Sequence, residues 1–84
     1  MSRKFGIRLY SLRTNKTNYT QTQMAKLLCL ERSTYTKYES GITEPSLQTL
    51  RNIKKILNIT YDELLSEELS ETEIIDYSLF RKTV

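Results

Sequence analysis

Histidine and tryptophan are missing altogether, and cysteine and proline occur once each, as Cys29 and Pro45, in a chain of 84 residues. Without histidine, and with a single thiol, there is no set of soft ligands for zinc and no pair of cysteines for an internal disulfide. Neither a metal nor a cofactor is therefore expected. The same lack removes the commonest general base, and no glycine-rich phosphate loop is present. Asp62 with Glu63 reads as a helix start rather than an active-site pair, so the chain is not expected to be an enzyme. No apolar run approaches the ~18 residues of a membrane span, and no signal-peptide pattern appears, which predicts a soluble, cytoplasmic protein that does not enter a membrane.

What is present is one domain's worth of chain, near the size at which a single core can just support itself. Its formal charge of +3 hides a division. Residues 1 to 60 hold eleven Lys or Arg against three acids (Glu31, Glu39, Glu44), a net of +8, whereas residues 61 to 84 hold two against seven, a net of −5. Such a field points one end of the molecule at a polyanion and the other away from it. The plainer reading is a solvated surface.

The chain turns on residues Gln21 to Gly41, QTQMAKLLCLERSTYTKYESG. Met24, Ala25, Leu27 and Leu28 recur at near-helical spacing; after a tight break, Tyr35 and Tyr38 lie three apart while Arg32, Thr36 and Lys37 face elsewhere. Two helices this short are unstable alone in water, so both must pack on something.

This run resembles the helix-turn-helix of the phage-repressor and Cro-type regulators, the xenobiotic-response-element family, and the likeness extends from Phe5 to Leu65. Gln21 opens the first helix of the motif, Ala25 is the small residue that lets the second helix cross closely, Leu30 plugs the turn, and Ser33 to Gly41 supply the second helix and its end. The resemblance implies an all-α, five-helix, lambda-repressor-like DNA-binding domain over residues 1–66. One departure is Cys29, which stands where the family usually has glycine and should carry a positive φ at a cost of about 1 kcal/mol.

Elsewhere the pattern is local. Phe5, Leu9 and Leu12 form the stripe of a helix from about Lys4 to about Thr14. In the loop that follows, Asn18 stands at the family's glycine position and is expected as a left-handed cap, with Tyr19 re-entering the core. Thr20 with Gln23, Thr60 with Glu63 and Ser70 with Glu73 have capping-box spacing. Pro45-Ser46 opens a helix with Leu47, Leu50, Ile53 and Leu57 in period, closed by a left-handed Asn58. Residues 67–84 form an acidic, apolar tail and predict one further helix, about Glu71 to Lys82. Ile74, Ile75, Tyr77, Leu79 and Phe80 are too many apolar residues for a solvated extension. They must fold back on the domain or meet a second chain, and they are taken as a dimer or partner surface.

A helix fits the major groove of B-DNA, and its first turns reach base edges. By family position the base readers are Arg32, Ser33, Thr36 and Lys37. Arg32 can donate two bonds to guanine, Thr36 offers a methyl to thymine, and Lys37 suits either a base or a phosphate. The resemblance assigns phosphate contact to Gln21, which also buttresses the reader at position 32, and by homology of position to Asn18, Thr20, Thr34, Ser40 and Thr43; Lys16 either reaches the phosphates from the loop or is simply solvated. It also implies a structural salt bridge from Arg13 to Glu39. Tyr35 and Tyr38 read as core rather than as stacking rings.

The expected partner is double-stranded DNA, bound sequence-specifically by a homodimeric transcriptional regulator, a repressor on a palindromic site. The alternative is an antitoxin or anti-regulator that binds a partner protein through the tail.

Overall fold

The computed structural model describes residues 2–83, with side chains described for 3–82. These fold into six α-helices: α1 (Ser2–Lys16), α2 (Gln21–Leu27), α3 (Arg32–Ser40), α4 (Leu47–Leu57), α5 (Tyr61–Leu65) and α6 (Glu71–Thr83). Among the described residues there is no strand, and no helix is long and apolar enough to cross a membrane.

Each of the first five helices sends one side chain to the centre. Leu9, Met24, Tyr35, Ile53 and Leu64 have no exposed surface, and Phe5, Leu12, Leu28, Leu50 and Leu57 close around them. The α1 stripe is buried as its spacing requires. Gly6 lies within it for a different reason: a Cβ there would come 2.4 Å from the carbonyl oxygen of Glu39, so α1 and α3 cross in backbone contact. Ala25, at 1% exposure, plays the small-residue role on α2. Two apolar residues in helical period do not enter the core. Leu27 faces out, and Leu47 is 74% exposed; α2 buries only Met24 and Ala25, with Leu28 buried just beyond its end, and Leu47 stands at the first position after the Ser46 cap.

The helix ends explain themselves by local chemistry. Thr20 and Thr60 each accept from the amide three residues on, while Gln23 and Glu63 reach back to complete the box. α2 ends in a Schellman arrangement, with the Cys29 amide donating to Lys26 at 3.1 Å and the Leu30 amide to Ala25 at 2.8 Å. Cys29 takes the left-handed conformation this needs, φ 58°, and Asn58 does the same after α4 at φ 54°.

The first loop is built otherwise than its sequence suggests. Among the described residues, positive φ occurs only at Cys29, Asn58 and Gly41, so Asn18 is not a left-handed cap. Thr17 turns the chain instead: its hydroxyl donates to the Arg13 carbonyl at 2.7 Å and accepts from the Tyr19 amide at 3.0 Å. With a side chain capping the end, α1 runs on to Lys16 rather than stopping at Thr14. Tyr19 does not re-enter the core and stays 38% exposed; its carbonyl, not its ring, is used, accepting from Arg13 Nη1 at 3.0 Å.

The tail folds back on α1. Ser70 and Glu73 form the reciprocal cap at 3.0 and 3.1 Å, and Arg8 binds Glu73 at 2.9 Å and the carbonyl of Glu68. Tyr77 meets Tyr10 edge-on at 5.7 Å, with Phe80 4.5 Å from the same ring. Tyr77 and Phe80 are therefore turned toward the domain and not outward to a partner, because the Tyr10 ring on α1 gives them an aromatic surface to cover. Ile74, Ile75 and Leu79 remain exposed.

Candidate nucleic-acid interface

The inner face of α3 is fixed by one buried carboxylate. Glu39 Oε1 accepts from Arg13 Nη2 at 3.1 Å and from Gln21 Nε2 at 3.0 Å; Oε2 accepts from Arg13 Nε at 2.7 Å and from the Tyr35 hydroxyl at 2.5 Å. Four donors satisfy the four lone-pair sites of an ionised carboxylate, which is what lets a charge sit at 1% exposure. The effect on its neighbours follows. Burial, with the Glu39 charge beside it, pushes the Tyr35 phenol far above its ordinary range. Burial works against the Arg13 charge, but the hydrogen bond and charge of Glu39 outweigh it and raise the guanidinium pKa.

The main-chain carbonyl of Glu39 is also accounted for. It belongs to the last turn of α3, where carbonyls lack intrahelical partners, and the Tyr77 hydroxyl donates to it at 2.6 Å. Residue spacing gives no signal of this contact, because the donor is 38 positions away on a different helix. Burial raises the Tyr77 pKa, and burial likewise raises that of Tyr10.

With its inner face held, α3 presents Arg32, Ser33 and Lys37 to solvent and Thr36 at half-exposure. None of the three ion pairs among the described residues involves Arg32 or Lys37, so a bridge from Arg32 to Glu31 does not form. The Thr36 hydroxyl donates to the Ser33 carbonyl at 3.0 Å, which leaves its oxygen free only to accept. Tyr35 and Tyr38 are buried, their rings 6.2 Å apart at 78°.

The residues assigned to phosphates divide. Thr20, Gln21 and Thr22 line one cleft with Arg13, Arg32 and Phe80, so the starts of α2 and α3 do come together. Within it, Gln21 supports α3 through Glu39 and not through Arg32. Asn18 and Thr43 are exposed, Thr34 and Ser40 half-buried, and the Ser40 hydroxyl donates to Lys37 at 3.2 Å. Lys16 is exposed and does not line that cleft; its ammonium lies 3.5 Å from Glu63. The Thr60 amide first, and Lys16 after it, lower the pKa of Glu63.

Comparison with known proteins agrees with this geometry. A helix-turn-helix family pattern matches residues 9–64. Over 74 residues the chain is 43% identical to the HTH-type transcriptional activator BcrR of Enterococcus faecalis, covering 83% of this chain and 36% of that one. It is 46% identical over 61 residues to the SPbeta prophage-derived regulator YonR of Bacillus subtilis, covering 73% and 56%. With the control protein C.MunI of a Mycoplasma species it shares 38% over 64 residues, 76% of this chain and 86% of that one. The chain thus spans little more than half the length of YonR and about a third of BcrR. No solved structure matches it. The buried Glu39 network, the bare outer stripe of α3 and these likenesses lead to one conclusion: the chain belongs to the xenobiotic-response-element type of helix-turn-helix family, a family of transcription regulators and not of enzymes.

Proposed function

We propose that the chain binds double-stranded DNA in the cytoplasm as a sequence-specific transcriptional regulator, with α3 in the major groove and two copies on half-sites about 34 Å apart. Arg32 reads guanine, Thr36 and Ser33 contact neighbouring base edges, and Lys37 binds a base or a phosphate. Thr20, Gln21, Thr34, Ser40, Thr43 and Asn18 serve the sugar-phosphate track. The regulator represses where its site overlaps a promoter.

The observation that carries this reading is the pairing of an anchored face with a free one. Glu39 and the two tyrosines fix the orientation of α3, while Arg32 and Lys37 stand exposed without acid partners among the described residues. A helix held this way does not have to be ordered again when it binds. The two-fold arrangement is supported by Ile74, Ile75 and Leu79, which α6 leaves exposed although it is docked.

Selection of bound sequences from random duplex, repeated at two salt concentrations, tests the proposal. A two-fold motif should emerge, with affinity falling as salt rises. Arg32→Ala should relax one base position at a cost of about 1–3 kcal/mol. Equal retention of all sequences by the wild type would overturn the reading, and capture of a protein through α6 would then favour the antitoxin-like alternative.

A further inference from the structure

The outer stripe of α3 runs out at Ser40, and there a cleft of about 500 Å³ opens between three helices. Arg3 lines it from the first turn of α1, Ser40 and Gly41 from the end of α3, and Tyr77, Ser78 and Arg81 from α6. Arg3 and Arg81 are exposed, and neither joins any of the three ion pairs among the described residues. Both share the cleft lining with Tyr77, and both charges act electrostatically on its phenol. Like charges facing one cleft repel in the free protein, and an anion between them relieves that cost.

The charge order along α6 gives the cleft a direction. Its first turn carries Glu71 and Glu73, its last Arg81 and Lys82. Glu73 is tied to Arg8, whereas the basic end lies beside the end of α3. Two hydroxyls of the lining already donate within the protein, Tyr77 to Glu39 and Ser40 to Lys37. The charged groups of the lining are the two guanidinium groups.

We propose that Arg3 and Arg81 form a phosphate clamp that takes the DNA backbone beside the base pairs read by α3, making α6 part of the DNA-contacting surface. The inference rests on the DNA-binding reading above. Guanidinium matches phosphate oxygens in paired bonds, which adds affinity and register but no base preference.

The test uses the full chain with Arg3→Gln, Arg81→Gln and both, titrated against the selected duplex over a range of salt. Each substitution should reduce the steepness of the logarithmic salt dependence by about 0.9, and the pair by about 1.8. Base preference and melting temperature should stay as in the wild type. A double variant with the wild-type slope overturns the clamp. If the wild type enriches a motif that Arg32→Ala relaxes, only the clamp has failed; if the wild type shows no preferred duplex, the DNA-binding reading itself has failed. Inorganic phosphate added to DNA-free protein tests the other source of the anion. Saturable NMR shifts at the Arg3 and Arg81 side chains, with an unchanged DNA salt slope, would assign the cleft to a free anion and overturn the proposal.

Discussion

Glu39 is the residue on which the most contacts converge, and its removal should be felt first in folding. Glu39→Ala leaves the buried Arg13 guanidinium with the Tyr19 carbonyl and the face of the Tyr10 ring but no counter-charge, and deprives Gln21 and Tyr35 of their acceptor. Breaking one side of a buried pair costs about 3–5 kcal/mol, a large part of the total stability of a domain this size. Urea unfolding should show that loss first, and binding should weaken second, through the smaller folded fraction and the lost anchor of α3. An apolar pair, Glu39→Met with Arg13→Met, should recover much of it, because no charge is stranded; a double variant as unstable as the single one would assign the network a different role. At Cys29 the expectation has the opposite sign. Glycine at φ 58° removes Cβ strain, so Cys29→Gly should raise the melting temperature by a few degrees, about 1 kcal/mol less the extra entropy of glycine in the unfolded chain. Thermal melts of the two proteins decide this.

At the scale of elements, α6 is a helix docked by polar contacts at one end and by aromatic rings at the other. Burial raises the pKa of Glu73, but the Ser70 amide, the Ser11 hydroxyl and the Arg8 charge more than offset it, so the net value lies below the ordinary 4.5. A depressed carboxyl pKa contributes stability that is present above the unfolded value and is lost as pH falls through the folded one. Docking of α6 should therefore weaken below about pH 4.5, where hydrogen exchange in residues 71–82 should quicken before that of α1 to α5. Glu73→Gln keeps the capping box but not the charge, and should shift α6 toward faster exchange already at neutral pH. Uniform exchange across all six helices would contradict it. This helix also marks where reading the sequence stops. The caps at Thr20, Thr60, Ser70 and Asn58 were legible because donor and acceptor lie within a few residues of each other, as were the buried stripes at Phe5, Leu9 and Leu12 and at Tyr35 and Tyr38. Asn18 misled because a threonine hydroxyl one residue earlier offers a competing cap. The contact of Tyr77 with Glu39 was not legible, since an orphan carbonyl has no signature in the sequence and its donor comes from outside the motif. The cleft of Arg3 with Arg81 went unread for the same reason: the two are brought together only by the way α6 crosses α1.

For the whole molecule, the two sides of α6 differ in what they meet. Tyr77 and Phe80 hold it to α1, while Ile75 and Leu79, one helical turn apart and both 56% exposed, form an apolar strip with Ile74 beside it. A two-fold dimer uses one self-complementary patch, and in the proposed two-fold arrangement this strip would set the spacing of the two α3 helices. Ile75→Lys combined with Leu79→Lys should leave the fold intact, since neither side chain is buried, and should place four like charges across the two-fold axis. By sedimentation the variant should be monomeric at concentrations where the wild type is dimeric. It should lose affinity for a duplex carrying both half-sites while binding a single half-site as the wild type does. Retained self-association would place the dimer contact elsewhere, and a wild type that sediments as a monomer even on the two-half-site duplex would remove the two-fold arrangement from the proposal while leaving α3 in the groove.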